Sequence, residues 1–281
     1  MAIKIGSIVY LSPSTIERKF IQMKELGMCS LQLSSWQVTE RTDETAEIIK
    51  NLCKKYDMEI SALWCGWTPT CYWNFYEGQE TLGLVPVATR NHRLAELMQG
   101  ADWAAKIGTP DITTHVGYMP ENPYDPNYIG TIVALKTLCT KAKNLGLHFN
   151  FETGQETPTT IARAIEDIGT GNIGINLDPS NLITYGKANP CDAMDTIGDF
   201  VRGVHVKDGL YPTSGKKCGV EVRVGDGKVN FPKLIQLLNE HKYTGHYTIE
   251  REIPEGAEQL ADIQHAINLI TTEYNKYNWE F

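Results

Sequence analysis

NIGINLD, residues 172–178, alternates without a break. Ile173, Ile175 and Leu177 fall on one face of an extended chain, and Gly174, Asn176 and Asp178 on the other. Pro179 stops the run, and Asn181 stands three residues after Asp178. A strand with one apolar face needs something to cover that face. The polar face then looks into whatever the sheet encloses.

Seven further runs of the same kind are spread along the chain. They are IKIGSIVY (3–10), SLQLSSW (30–36), EISALWCGW (59–67), DITTHVGY (111–118), LHFNFET (147–153), RGVHVKD (202–208) and HYTIERE (246–252). Helical patterns lie between them. Phe231, Leu234, Ile235 and Leu238 follow an i, i+3, i+4, i+7 stripe behind Pro232. Ile161, Ile165 and Ile168 form another stripe that ends at Gly169, and Gly108 and Gly146 mark further helix exits. Eight strands each followed by a helix predict an α/β fold, a single (β/α)8 TIM barrel, with residues 1–281 as one domain. An open doubly wound sheet is the competitor, but no Gly-x-Gly-x-x-Gly turn follows an early strand. Two long connections, 68–88 and 209–230, both follow strands. Both are therefore expected on the C-terminal face, where barrel active sites form.

Composition narrows the function. The chain has 281 residues, 42% hydrophobic and 21% charged, with a net charge of -8. The acidic balance argues against a nucleic-acid backbone as partner. The start, MAIKIGSIVY, lacks a secretory pattern, and no run of 18 apolar residues suggests a membrane span. The seven cysteines are an odd number without a Cys-x-x-Cys pair. Reduced thiols and a cytoplasmic location are the expectation.

The parity argument extends to the other strands. It turns His115, Glu152, Asp178, His205 and Glu250 towards the barrel mouth. Three carboxylates and an imidazole brought together repel one another unless a cation joins them. Oxygen ligands with one neutral imidazole suit one divalent metal ion: Mn²⁺ first, with Mg²⁺, Co²⁺ and Zn²⁺ as alternatives. Taken singly, each residue has a plainer reading. Asp178 before Pro179 suits a turn or a helix cap, and Glu152 a solvated loop. His205 suits a satisfied core position, and Glu250 a pair with Arg251.

With these residues in view, the chain resembles the xylose isomerase-like TIM barrel superfamily, and within it the sugar phosphate isomerase/epimerase group that contains the ketose 3-epimerases. The resemblance rests on NFETG (150–154), NLDPSNL (176–182), RGVHVKDG (202–209), GDGKVNFPKL (225–234) and YTIERE (247–252). It implies one metal held by Glu152, Asp178, His205 and Glu250, with Glu152 and Glu250 also the acid/base pair. It implies substrate contacts from Lys207 and Arg223, with Trp67 against the sugar, and His115 and Asn181 beside them. One position departs from the pattern. Many members carry a histidine where this chain has Asn181, and asparagine is a poor transition-metal ligand. That removes support for a multinuclear centre and for abasic-site cleavage.

The function these residues imply is a metal-dependent isomerase or epimerase of a sugar or polyol derivative, working through an enediolate. A keto-sugar lyase or hydratase on the same site is the alternative. An abasic-site endonuclease and a non-catalytic sugar binder stand behind it. Arg223, Arg251 and the GDG turn (225–227) are the only hints of phosphate recognition beyond Lys207. The expected partner is a small sugar, with no nucleic acid and no membrane. A homo-oligomer is left open, because the aromatic tail TEYNKYNWEF (272–281) suits docking on the barrel or on a neighbouring subunit.

Overall fold

The computed structural model describes residues 2–281. Eight parallel strands close into a barrel: β1 (Ile5–Tyr10), β2 (Ser30–Ser35), β3 (Glu59–Cys65), β4 (Asp111–Thr114), β5 (His148–Glu152), β6 (Ile173–Leu177), β7 (Val201–Val206) and β10 (His246–Ile249). β8 (Asp208–Leu210) and β9 (Val220–Val222) form a separate antiparallel hairpin inside the 209–230 connection. The predicted (β/α)8 barrel is the observed fold. The 68–88 connection carries a short helix at Gly78–Thr81, and the long helix Val87–Ile107 begins at its end.

The strands are shorter than their sequence runs at the C-terminal ends. β4 stops at Thr114 and β10 at Ile249, so His115 and Glu250 each lie just beyond a strand. Parity still carries both side chains inward, because the first residue past a strand keeps its direction.

The apolar faces meet the helices as the alternation requires. Phe149, Phe151, Ile175, Leu177, Val204 and Val206 are almost fully buried in one continuous core. The helix Pro158–Ile168 buries Ile161, Ile165 and Ile168; Thr157 caps it by accepting from Thr160 N, and Gly169 ends it in the left-handed region. In Phe231–Glu240, Asn230 caps by accepting from Lys233 N, and Phe231, Leu234, Ile235 and Leu238 are buried. Each such side chain contributes about 1.5–3 kcal/mol of transfer free energy. The C-terminal tail docks on its own barrel: Trp279 stacks on Tyr274 at 4.1 Å between ring centroids and donates to Tyr274 O at 2.8 Å.

Three polar clamps shape the C-terminal face. Arg41, buried, donates to Ser35 O, Gly66 O and Glu96 O, tying the ends of β2 and β3 together. Arg93 donates to Gly83 O and Pro69 O and so holds the loop after β3. Asp208 accepts from the backbone N–H groups of Gly209, Gly225, Gly227 and Val229 at 2.8–3.0 Å. The GDG turn is therefore closed on a carboxylate of its own chain. Its glycine amides are engaged, which answers the phosphate-cradle hint in the sequence. Among the described residues no helix is long and apolar enough to cross a membrane, and all seven cysteines are free.

Candidate functional site

Four strand ends bring Glu152, Asp178, His205 and Glu250 together. One ligand-type atom from each lies within 4.8 Å of all the others. His205 Nδ1 is the hub, at 2.8 Å from a Glu250 oxygen, 3.0 Å from Glu152 and 3.5 Å from Asp178. Glu152, Asp178 and His205 are 0–1% exposed. Glu152 is thus no solvated loop residue, and Arg251 pairs with Glu221 and Asp262 rather than with Glu250.

Asp178 is a helix cap as well as a member of the cluster. Its Oδ1 accepts from Asn181 N at 2.8 Å at the start of the helix Pro179–Thr184. Its Oδ2 stays buried on the cluster side, facing His205 Nδ1. The spacing of Asp178 to Asn181 is thus the spacing of a cap.

A directed chain of hydrogen bonds sets the imidazole. Asn176 Nδ2 donates to Glu152 Oε2 at 2.5 Å, Gln32 Nε2 donates to Asn176 Oδ1 at 3.2 Å, and Gln32 Oε1 lies 2.6 Å from His205 Nε2. With both amides oriented this way, Gln32 Oε1 accepts, so Nε2 carries the proton and Nδ1 presents its lone pair. That nitrogen makes no well-directed hydrogen bond to the three carboxylate oxygens around it. A lone pair and three carboxylates facing one point are mutually repulsive, and a divalent cation suits them chemically. The donor set therefore fits a metal. Gly203 makes the chain possible, since a Cβ there would come within 2.4 Å of Asn176 Oδ1.

Without a cation, protons take its place. Burial raises the Glu152 carboxyl to about 7, against the pull of His205. Burial alone would lower His205, but Glu152 and Glu250 hold it well above its ordinary value. Burial would raise Glu250, but Lys207 and His205 outweigh it and hold that carboxyl well below the usual range. His115 is pushed down to about 3, first by burial, and is neutral.

Glu152 and Glu250 of the cluster line a cavity of about 580 Å³. His115, Asn181, Lys207 and Trp67 all line it, and Arg223 does not. Arg223 is exposed and paired with Asp226 through Nε at 3.0 Å. Lys207 Nζ lies 2.8 Å from Glu252, 3.3 Å from Glu250 and 3.7 Å from Asp178. Sequence reading missed several lining residues: Trp36, Trp64, Trp73, Ser180, Glu221 and Glu252. It also missed Gln32, although Leu31 and Leu33 on either side already assign Gln32 to the inner face. Trp36 stands against Trp64 at 5.0 Å and Trp67 at 5.6 Å, and Gly66 leaves room for its ring.

Comparison with known proteins shows the family and the fold. A family model described as "Xylose isomerase-like TIM barrel" matches residues 20–272. A crystal structure of a xylose isomerase domain protein from Planctomyces limnophilus is 32% identical, with 98% of this chain and 99% of that one covered and a TM-score of 0.91. A solved L-ribulose 3-epimerase shares the fold at 16% identity, 98% and 95% coverage and a TM-score of 0.76. An inosose dehydratase of Geobacillus thermodenitrificans is 24% identical over 124 residues, 40% of this chain and 41% of that protein.

Proposed function

The chain belongs to the xylose isomerase-like TIM barrel family, and from that premise we propose that it is a divalent-metal-dependent isomerase or epimerase of a sugar or polyol derivative, folded as one domain over residues 1–281. The observation that carries this reading is the buried cluster of Glu152, Asp178, His205 and Glu250, with Glu152 and Glu250 lining the aromatic-walled cavity. These four residues would hold the cation, with Mn²⁺ the first choice. When bound, the cation supplies Lewis-acid polarisation of a substrate carbonyl.

The chain's own residues do the rest. Of the pair Glu152 and Glu250, the ionised member takes the proton from the carbon beside the carbonyl, and the protonated member returns one to the enediolate. Return to the opposite face of the same carbon is epimerisation; delivery to the neighbouring carbon is isomerisation. Asn176 holds Glu152 in place, and Lys207 holds Glu250. Trp67, His115 and Asn181 border the substrate.

Solvent deuterium uptake tests this. With Mn²⁺, the wild-type protein is expected to exchange the proton beside the carbonyl of ketoses or inososes in heavy water. Glu152→Gln is expected to lower the rate by at least about 10²-fold with an unchanged circular dichroism spectrum. Full exchange in the mutant would sink the role of Glu152. The partial likeness to an inosose dehydratase favours a lyase as the second reading. Release of water or another leaving group in the same samples would select it.

A further inference from the structure

One side chain reaches two members of the cluster from across the barrel. Gln32 lies on β2, which stands opposite β6 in the closed ring of strands. It is 2% exposed and does not line the cavity. Its two amide atoms serve two other strands. Oε1 lies 2.6 Å from His205 Nε2 on β7, and Nε2 donates to Asn176 Oδ1 on β6 at 3.2 Å. Asn176 passes the contact on, donating from Nδ2 to Glu152 Oε2 on β5. Glu152 Oε1 is left facing His205 Nδ1 at 3.0 Å. The relay thus runs from one proposed ligand to the other and leaves each with one free atom on the cluster side.

The direction of the relay is set at its carboxylate end. As a metal ligand Glu152 only accepts, so Asn176 must turn Nδ2 towards it and Oδ1 towards Gln32. Gln32 must then donate through Nε2, which leaves Oε1 for the imidazole. A His205 without a proton on Nε2 would set one acceptor against another at 2.6 Å, in a buried place where such a clash is costly. The ring proton therefore belongs on Nε2 and the Nδ1 lone pair on the cluster side. Position 32 needs a side chain that accepts at one atom and donates at the next. Glutamate accepts but cannot donate to Asn176, methionine has the length and does neither, and asparagine is one methylene short. Room for the relay is built in as well. Gly203 keeps a Cβ away from Asn176 Oδ1, and the neighbour of Gln32 on β3 is the small Ala62.

We infer that Gln32 is a positioning residue of the metal centre: with Asn176 it holds Glu152 and His205 as one unit, so that both present a free lone pair to the cation together. It acts through these two ligands and not on the substrate. This rests on the metal-site reading above and adds to it the residue that couples two of the ligands.

Titration calorimetry with Mn²⁺ tests the coupling without turnover, on the wild type, Gln32→Met, Asn176→Leu and the double variant. Each single variant is expected to bind Mn²⁺ about 10–100-fold more weakly than the wild type, with an unchanged circular dichroism spectrum. The double variant is expected to lose no more than the weaker-binding single variant, because either substitution already opens the relay. Losses that multiply in the double variant overturn the inference. So does a Gln32→Met protein that binds Mn²⁺ as tightly as the wild type, because methionine keeps the packing and removes the hydrogen bonds. The wild type supplies a second measurement that needs no variant. In Mg²⁺-loaded protein with ¹⁵N-labelled histidine, the ring whose nitrogen shifts respond to Mg²⁺ is expected to carry its proton on Nε2, in a slowly exchanging hydrogen bond. A ring proton on Nδ1 overturns the inference. Each of these results leaves the metal-site reading standing, whereas a wild-type protein that binds neither cation overturns both.

Discussion

Asp178 divides its two oxygens between two tasks. Oδ1 caps the helix Pro179–Thr184 through Asn181 N, and Oδ2 faces the cluster. The two tasks separate by mutation. Asparagine caps a helix about as well as aspartate, but it removes the anionic oxygen from the proposed metal site. Asp178→Asn is therefore expected to keep the melting temperature of the metal-free protein within about a degree or to raise it, since one buried charge is gone. The same mutant is expected to lose the rise in melting temperature that Mg²⁺ or Mn²⁺ gives the wild type. Asp178→Ala should lose that rise and, in addition, roughly 0.5–2 kcal/mol of cap energy. Calorimetric scans of the three proteins, each with chelator and with cation, check both halves. A cation-dependent rise that survives in Asp178→Asn would remove Asp178 from the ligand set.

The hairpin of β8 and β9 is built on a single carboxylate. Asp208 is fully buried and takes four backbone N–H groups from the 209–229 connection. A charged acceptor is worth about 1.5–3 kcal/mol per hydrogen bond, less than additively. Asp208→Ala is expected to release that connection while the barrel strands remain. Trypsin should then cut quickly at Lys216, Lys217, Arg223 or Lys228, with the circular dichroism spectrum little changed. Resistance to trypsin equal to that of the wild type would mean that other contacts hold the loop. Elements like this one explain which parts of the structure could be read from sequence. The barrel was legible because each strand announces itself locally, by alternation and by the turn residues that bound it. Glu152, Asp178, His205 and Glu250 were legible because parity is also local, and it survives the early ends of β4 and β10. The clamps were not legible. Asp208 with Gly225 and Gly227, or Gln32 with Asn176 and His205, join residues far apart in the chain, and no periodicity links them. Trp36 and Trp64 carry no mark of a site in the sequence until closure of the barrel stands them beside Trp67, and Trp73 joins them through Trp36.

For the whole molecule, the buried ionisable groups couple stability to pH. Burial raises Glu152 to about 7 and Glu156, also buried, to about 8. Both unfold into water, where they lose their protons near the ordinary carboxylate value. Between those limits the native state holds more protons than the unfolded chain, so stability falls as pH rises. His205, held above its ordinary value, acts in the same direction. Glu250, held well below, gives stability above its ordinary value that is lost only in acid, so it is constant from pH 6 to 9. Each proton that the native state alone retains costs about 1.4 kcal/mol of stability for every pH unit climbed. Proteins of this size class lose roughly 2–4 °C of melting temperature per kcal/mol. The metal-free protein should therefore melt several degrees lower at pH 9 than at pH 6. A divalent cation competes with the protons on Glu152 and His205, so its binding should release protons and strengthen from pH 6 to 8. With Mg²⁺ bound, the fall in melting temperature should shrink to the part that belongs to Glu156, and Glu156→Gln should remove that part as well. Thermal scans at several pH values, with chelator or Mg²⁺, check the temperatures; titration calorimetry at pH 6.5 in two buffers of different ionisation enthalpy counts the protons. A metal-free melting temperature that is flat or rising over this range would show that the cluster does not hold protons in place of a cation, and buffer-independent binding heats would show that the cation does not displace them.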